Sequence, residues 1–520
     1  MDLGQYILLC LCAVSAIVWG CPQHCHCRNS QILCQGHEIQ DFPSTIPTTT
    51  SAIYISNASV SLLKPTDVDA FSSALTIFVV RDSRISKVLP NTFDKTHNLI
   101  ALGFTGTELF SLPEDLFQNL QSLTSLTLSN NKLKELPLSL LSPLKTLKSL
   151  DLSKNNLTSV PEKAFEGLIH LEMLMLQKNN IKEIYRGTFC GLRNLKLLFL
   201  HENSLKGMPA NIFEDLINLE TLHLQNNVII HLSPDIFTHQ LKLQKLYLSN
   251  NQLSKLPEGI FLNLHSLRQI SLYDNQLQTL SCKTFGPMPL KDLWLYDNML
   301  TQLEENVFSN LTQIRLLVLS RNQISHVSPG AFNGLHELKE ISLHTNRLMR
   351  LEEGLFRGLP KLVNISLENN QIHYLPGRFL DGISYLYQLE LQNNSLSYLP
   401  QELLNSLTKV DRVVLTENPW RCDSDIIPLR DWLRKNSDKV KNVSSLVCFS
   451  PSHLTNISII NLDDSFGGQK DNAISKMSHI IIIAVVCTSV IVGIIICVCW
   501  RKSKQGSGAL HHQQRPNSTV

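Results

Sequence analysis

The chain has 520 residues, and its 46 Lys and Arg against 44 Asp and Glu leave a formal net charge of +2. Hydrophobic residues make up 43% of the chain and charged residues 17%, below the roughly 25% of ordinary soluble domains. This balance excludes a polybasic nucleic-acid binder and a disordered acidic chain, so no nucleic-acid partner is expected.

Residues 1–20 are predicted to be a secretory signal peptide. The run from Tyr6 to Val18 carries no charge, and the small residue Gly20 stands just before the first cysteine of the mature chain. Asp2 is the only charge before this run, which leaves an uncleaved anchor as the alternative, although the run is short for a membrane span. The mature chain is therefore expected to enter an oxidising compartment.

Four cysteines open the mature chain with the spacing C-x3-C-x-C-x6-C: Cys21, Cys25, Cys27 and Cys34. This spacing resembles the N-terminal cap of extracellular leucine-rich repeat proteins. The resemblance implies a cap over residues 21–50, in which Cys21 pairs with Cys27 and Cys25 with Cys34. His24 and His26 lie among the cysteines, so a zinc site is the alternative, but secretion favours disulfides and we expect no metal.

A repeat of 24 residues organises residues 51–415, and its signature LxLxxN is clearest in LTLSNN (126–131). The first apolar position recurs sixteen times: Ile53, Ile77, Leu102, Leu126, Leu150, Leu174, Leu198, Leu222, Leu246, Ile270, Leu293, Leu317, Ile341, Ile365, Leu389 and Val413. Each unit predicts a short strand that turns both leucines inward, followed by an Asn whose amide satisfies backbone groups of neighbouring turns.

A phenylalanine recurs fifteen residues after the strand leucine in nine repeats: Phe165, Phe189, Phe213, Phe237, Phe261, Phe285, Phe308, Phe332 and Phe356. We expect these rings to stack as core. The fold class is therefore an α/β solenoid, a leucine-rich repeat horseshoe with a parallel concave β-sheet and disulfide-capped ends. Cys190 and Cys282 lie too many repeats apart to form a bridge, and we expect both to be buried free thiols.

Large rings occupy strand positions between the inward leucines, where side chains face the concave side. They are the predicted ligand-binding residues: Phe199, His223, Tyr247, Tyr273, Trp294 and Tyr296. Aromatic clusters concentrate binding energy at interfaces, so we expect extracellular matrix or cell-surface proteins to bind this concave face. The alternative is ladder packing of neighbouring rings without a partner.

Four basic residues recur two positions before the strand leucine in consecutive repeats: Arg268, Lys291, Arg315 and Lys339. This row suits an acidic partner such as a sulfated glycan. Asp292 and Glu340 stand beside two of its members, so a merely solvated sheet edge is the alternative.

Seven sequons for N-glycosylation are consistent with a secreted surface: Asn57, Asn156, Asn310, Asn364, Asn393, Asn442 and Asn456. Glycans at Asn364 and Asn393 would crowd the C-terminal part of the concave face. A protein ligand is thereby expected at the central repeats.

The strings NPWRCDSDIIPLRDWL and LVCFSP within residues 416–461 resemble the C-terminal cap of the same proteins. The resemblance implies that Trp420 and Trp432 plug the end of the solenoid. It leaves one bridge, between Cys422 and Cys448.

A stalk (462–479) leads to 21 uncharged residues, 480–500, predicted to form one transmembrane helix of about 31 Å that crosses the lipid bilayer. Arg and Lys follow at once, so the protein is predicted to be type I at the plasma membrane, with an extracellular N-terminus and a cytoplasmic tail (501–520). The tail ends in a pattern that PDZ proteins bind: Ser518, Thr519 and Val520. The alternative is a chance match, because a pattern of only three residues is common.

The sequence contains no GxSxG, HExxH, P-loop or dinucleotide-binding motif, so we predict no catalytic site and no cofactor. A closer likeness lies in GPMPLKDLWLYDN (286–298) and LSRNQISHVSPGAFNGLHELKEISLHTN (319–346). These strings resemble the cell-surface leucine-rich repeat glycoproteins of the platelet glycoprotein V group. The resemblance implies cell–matrix adhesion, with collagen and other matrix proteins as ligands. The alternative is a membrane accessory subunit that modulates another receptor or channel in cis.

Overall fold

The computed structural model describes residues 21–464 and ten positions between 481 and 496. The predicted signal peptide and tail, and most of the predicted stalk and transmembrane segment, lie outside these described residues. Within the described residues, no helix has both the length and the apolar character needed to cross a membrane.

One sheet of 18 strands lines the concave side of the solenoid. The strands Cys25–Arg28 and Gln31–Gln35 form an antiparallel hairpin, and the second of them pairs in parallel with Ala52–Ser56. Fifteen more strands follow in parallel, each beside the next: Ile77–Arg81, Ala101–Thr105, Ser125–Thr127, Ser149–Asp151, Met173–Met175, Leu197–Phe199, Thr221–His223, Lys245–Tyr247, Gln269–Ser271, Asp292–Trp294, Leu316–Val318, Glu340–Ser342, Asn364–Ser366, Leu386–Glu390 and Val410–Val414. The predicted parallel-sheet solenoid is confirmed.

The remaining elements are short. The α-helices are Pro65–Val68, Gln401–Leu407 and Ile427–Lys435. The 3₁₀-helices are Asp69–Phe71, Ser424–Ile426, Val443–Ser445, Ser452–Leu454 and Ile459–Asn461. Two-residue strands form three parallel pairs: Leu62–Leu63 with Lys87–Val88, Ser159–Val160 with Glu183–Ile184, and Gln302–Leu303 with His326–Val327. The sides opposite the concave sheet are therefore built mainly from turns.

The recurring pattern within each repeat has the packing that its spacing predicts. In a central repeat, Leu246 and Leu248 are fully buried. The side-chain amide of Asn251 donates to the carbonyl oxygens of Leu224 (3.0 Å) and Leu248 (3.1 Å), and its Oδ1 accepts from the backbone N–H of Ile229 at 3.0 Å. Each such Asn thus joins two successive turns, as predicted, because it supplies two donors and an acceptor to buried backbone groups.

The phenylalanine row fills the side of the solenoid opposite the sheet. All nine predicted rings are buried. Between Phe165 and Phe308, the centroids of consecutive rings lie 5.8 to 6.5 Å apart. Each ring therefore contacts the repeats before and after it, which couples neighbouring repeats.

The predicted register is wrong in one repeat. Phe78, and not Ile77, pairs with Ile53 on one side and Leu102 on the other. Phe78 is fully buried whereas Ile77 is only half-buried. As a result the Asn position is taken by Ser83, whose hydroxyl accepts from the backbone N–H of Ala58 at 3.0 Å. Two apolar residues stand side by side here, and only packing against the neighbouring strands selects between them.

The prediction of buried thiols at Cys190 and Cys282 is also wrong, because both side chains are exposed. Cys190 follows the buried Phe189, so the turn directs the next side chain outward. There the thiol interacts with the Asp215 carboxylate, which raises the pKa of Cys190.

Both ends of the solenoid are closed by disulfides. The structure joins Cys21 to Cys27, Cys25 to Cys34 and Cys422 to Cys448, the pairing implied by the resemblance. At the C-terminal end Trp420 and Trp432 are buried against the last repeat. The indole N–H of Trp432 donates to the Thr408 hydroxyl at 3.1 Å, which fixes the cap on the solenoid.

Candidate functional site

The predicted ligand-binding side chains lie in two parallel rows across the concave sheet. In the first row, Phe199 is in register with His223, and His223 with Tyr247. The same row continues through Ser271 to Trp294. Tyr273 and Tyr296 belong to the second row, and each lies two residues after the first-row residue of its own repeat. The leucines between the rows point into the core, so both rows face the concave side, as predicted.

Phe199, His223 and Tyr247 form a continuous stack, and together with the adjacent His201 they are called the first ring cluster. The centroids of Phe199 and His223 lie 4.8 Å apart, and those of His223 and Tyr247 lie 4.4 Å apart, with nearly parallel planes. The ring of His201 lies against this stack, 5.4 Å from His223. The cluster presents one broad, pre-ordered apolar surface to the concave side.

A second ring cluster consists of Tyr273, Tyr296 and Arg321. The two tyrosine rings stack at 4.5 Å with an interplanar angle of 6°. The Arg321 guanidinium lies over Tyr296, and its Nε donates to Asp297 Oδ1 at 2.7 Å. Sequence reasoning missed Arg321, although it stands one repeat after Tyr296 and one register position further along, where a cation can reach the ring.

Trp294 lies in the first row, at the end of the strand that leads to Tyr296 of the second ring cluster. Its partners in the row are Ser271, which is buried, and Val318. Within the described residues no ring packs against the Trp294 indole, whereas each of the other five predicted residues has a ring partner. Trp294 is half-buried, and a ligand ring can therefore pack on it without displacing another ring.

All six predicted residues are half-buried. Five of them stack on rings of neighbouring repeats, since adjacent strands are about 4.8 Å apart. Ladder packing therefore occurs. Stacking and ligand binding are not exclusive, since a rigid aromatic surface loses little conformational entropy when a partner binds.

The first ring cluster is uncharged near neutral pH. Burial, followed by the neighbouring His201, lowers the pKa of His223 to about 4, and burial also lowers the pKa of His201. Burial raises the pKa of Tyr247. Neutral rings cost less to desolvate than charged ones, which suits a surface that a protein partner covers.

Three polar atoms beside the first ring cluster have no hydrogen-bond partner in the described part of the chain. They are Gln177 Oε1, His201 Nδ1 and Gln225 Oε1, from three consecutive repeats. Buried polar atoms without partners destabilise the folded state, so these three atoms are a local cost of packing the rings. Sequence reasoning did not identify Gln177 or Gln225, because their burial depends on the rings around them.

The C-terminal concave face differs in chemistry. Glu368 is half-buried, and its burial raises the pKa of the carboxyl group to about 7. Glu390, on the next strand, accepts from the Ser366 hydroxyl at 3.0 Å. Within the described residues no group of three or more His, Cys, Asp or Glu is arranged to hold a metal ion. This end of the face is polar and acidic rather than aromatic.

The sequons lie on several sides of the solenoid. Asn156, Asn393, Asn442 and Asn456 are exposed, and Asn57, Asn310 and Asn364 are half-buried. Asn364 lies on the concave sheet, and Asn393 is linked to Asn369 of the previous repeat by a side-chain hydrogen bond of 2.7 Å.

A curved solenoid with capped ends, a parallel concave sheet and an asparagine ladder defines a repeat protein. The profile of the family described as "Leucine rich repeat" matches residues 73–133, 145–205, 193–253, 241–290, 313–372 and 337–396, which together exceed half of the chain. The chain belongs to the leucine-rich repeat family.

Individual relatives are more distant. Human leucine-rich repeat-containing protein 15 is 50% identical over 44 residues, which is 8% of this chain and 8% of that protein. A leucine-rich repeat protein of Leptospira interrogans, LIC12759, shares 25% identity with a TM-score of 0.55, over 78% of this chain and 94% of that one. A chain of the Toll–Spatzle complex from Drosophila shares 21% identity with a TM-score of 0.50, over 83% of this chain and 70% of that one, and shows a likeness of fold.

Proposed function

We propose that this chain is a single-pass type I receptor of the plasma membrane that binds extracellular matrix proteins, collagen among them, for cell adhesion. The ligand lies on the concave sheet, across the two ring clusters and Trp294. The chain acts by binding and not by catalysis. A PDZ protein at Ser518, Thr519 and Val520 remains a prediction, since these residues lie outside the described part of the chain.

The observation that carries the proposal is the stack of aromatic rings on the concave sheet. Phe199, His223 and Tyr247 stack with nearly parallel planes, and Tyr273 stacks on Tyr296. Interfaces concentrate their binding energy in packed aromatic residues of this kind.

The distribution of sequons supports the same location. No sequon occurs between Asn156 and Asn310, and all six predicted ligand-binding residues fall within this interval. Glycans at Asn364 and Asn393 would cover the C-terminal part of the concave face. A protein ligand therefore meets the least obstruction at the central repeats.

An extracellular location is supported by the disulfides at both caps, which persist in oxidising compartments. It also agrees with the predicted signal peptide and the apolar segment 480–500. The matrix as ligand class rests on the resemblance of residues 286–298 and 319–346 to cell-surface leucine-rich repeat glycoproteins.

The test is binding of cells that display the full chain to immobilised collagens and other matrix proteins. Trp294→Ala should weaken binding by about 2 kcal/mol or more without lowering surface expression, because the indole lies on the concave side and is not part of the buried core. Asn263→Ala, at an exposed turn outside the sheet, is the matched control and should bind as wild type.

Wild-type binding by Trp294→Ala together with weaker binding by Asn263→Ala would move the site off the concave sheet. No binding to any matrix protein, with a second membrane protein co-purifying from detergent, would instead indicate an accessory subunit.

A further inference from the structure

Four cations form a straight row at the start of four adjacent strands, here called the basic column (Arg268, Lys291, Arg315 and Lys339). The backbone N–H of Arg315 donates to the Lys291 carbonyl oxygen at 2.7 Å, and that of Lys339 donates to the Arg315 carbonyl oxygen at 2.9 Å. All four side chains are exposed. At strand spacing, the column extends for about 14 Å along the sheet.

None of the four side chains forms an ion pair with another described residue. The acidic neighbours Asp292 and Glu340 form none with them either, although both stand next to the column. Nearby Glu337 is already bound by Lys361, through contacts of 2.6 and 2.7 Å to its two oxygens. The column therefore combines four like charges at short spacing with no neutralising partner in the described part of the chain.

In earlier repeats, the position two residues before the strand leucine does not carry charges of one sign. There the residues alternate in charge: Lys148, Glu172, Lys196 and Glu220. Lys196 and Glu172 form an ion pair at 2.8 Å, so neighbouring strands neutralise each other. Alternation is the arrangement that minimises repulsion between adjacent strands, and the basic column departs from it over four repeats.

The field of the column extends to its surroundings. Hydrogen bonding to Lys361 is the largest cause that lowers the pKa of Glu337, and Arg315 and Lys339 lower it further. Gln244 and Val363, which are uncharged, occupy the same position in the repeats before and after. The positive potential is thus limited to one row of defined length.

We propose that the basic column binds a linear sulfated glycan. A sulfated chain carries anionic groups at regular intervals along one direction, which matches a straight row with one cation per strand. Guanidinium groups at Arg268 and Arg315 can each bind two sulfate oxygens, and the two lysines add point charges between them. This site is separate from the ring clusters, and its choice of ligand rests on the proposed extracellular location.

The column does not have the chemistry of a protein-binding hot spot. Its side chains are solvated, and no aromatic residue lies within the row. Protein interfaces place their energy in desolvated, packed side chains, whereas hydrated polyanions are bound by exposed cations whose attraction falls with salt.

Heparin is the probe for this site, with the purified full chain as the binding protein. A variant with Arg268→Gln, Lys291→Gln, Arg315→Gln and Lys339→Gln should bind heparin at least tenfold more weakly and elute from immobilised heparin at lower salt. The matched control removes the same charge from four cations that already have acidic partners away from the column: Lys95→Gln, Lys132→Gln, Lys178→Gln and Lys196→Gln. The control should retain wild-type affinity, and unfolding midpoints of both variants check that each is folded.

Three results would overturn the proposal. The first is that the column variant binds heparin as the wild type does. The second is that both variants lose affinity equally, which would show that only net charge matters. The third is that polyglutamate binds the column as tightly as heparin, which would indicate an acidic peptide as the ligand. Trp294→Ala should keep its affinity for heparin, so failure at this site and failure of the proposed protein-binding surface are distinguishable.

Discussion

The guanidinium carbon of Arg321 lies 5.3 Å from the centroid of the Tyr296 ring. Tyr273 stacks on the same ring from the preceding repeat, so Tyr296 is held between a ring and a cation of two neighbouring repeats. Asp297 fixes the guanidinium through its hydrogen bond with Arg321 Nε. Three successive repeats thereby build one rigid element of the concave surface.

Removing the Arg321 cation should weaken binding of the proposed matrix ligand more than it destabilises the fold. Arg321→Ala is expected to reduce affinity by about 0.5–2 kcal/mol, the range of a cation–ring contact that becomes desolvated. The unfolding midpoint should change little, because the ion pair with Asp297 is exposed. Affinity measurements on displayed protein check this. Arg347→Ala, at an exposed arginine outside the two ring clusters, is the control. An equal loss of affinity in this variant would show that the effect comes from net charge and not from the contact with Tyr296.

The N-terminal cap should depend on its second bridge. Cys34 is fully buried, on the strand that pairs with the first repeat, so Cys34→Ser leaves Cys25 unpaired at the end of the core. The expected cost is about 2–5 kcal/mol, with retention inside the cell and faster proteolysis. Cys282→Ser, at an exposed free thiol, should reach the surface at wild-type levels. Normal surface levels for Cys34→Ser would show that the cap does not need this bridge.

The phenylalanine row should control cooperativity along the solenoid. Phe261 lies 6.1 Å from Phe237 and 5.8 Å from Phe285, so Phe261→Ala removes contacts with both adjacent repeats. A loss of about 3–5 kcal/mol and a broader thermal transition are expected. Leu262→Ala is the control, because that neighbouring side chain is exposed. An unchanged melting profile for Phe261→Ala would contradict the coupling role of the row.

Stability should fall under mild acid because of His223. Its pKa of about 4 in the folded chain lies below the ordinary value of 6.5, so the unfolded chain binds more protons between these values. The contribution is complete above pH 6.5 and is lost as the pH falls toward 4. After discounting for partial exposure it amounts to about 1–2 kcal/mol.

Unfolding midpoints at pH 7.5 and pH 5 measure this contribution. His223→Phe keeps the ring stack and cannot be protonated, so its midpoint should change less between the two pH values than that of the wild type. His326→Gln, at an exposed histidine, should retain the wild-type difference. A wild-type pH dependence in His223→Phe would assign the effect to other groups.

The repeat period by itself determined the fold. Leucines at fixed spacing must be buried together, and the Asn and Phe that follow them must occupy equivalent places in every turn, so the sheet, the asparagine ladder and the phenylalanine row could all be predicted. The direction of the concave side chains also followed, since strand residues alternate between two faces. The identity of the six rings was therefore available from the sequence.

The tertiary structure decided what the period left open. Ile77 and Phe78 are both apolar, and only contact with Ile53 and Leu102 selects Phe78 for the core. Cys190 points outward because it directly follows a row phenylalanine, and the exposed Glu166 and Glu214 stand at the same position in the adjacent repeats. The stacking of His223 between Phe199 and Tyr247, and the position of Arg321 over Tyr296, depend on distances between repeats. Spacing along the chain determines which residues share a face, whereas burial, ring contacts and pKa shifts arise only when neighbouring repeats pack against each other.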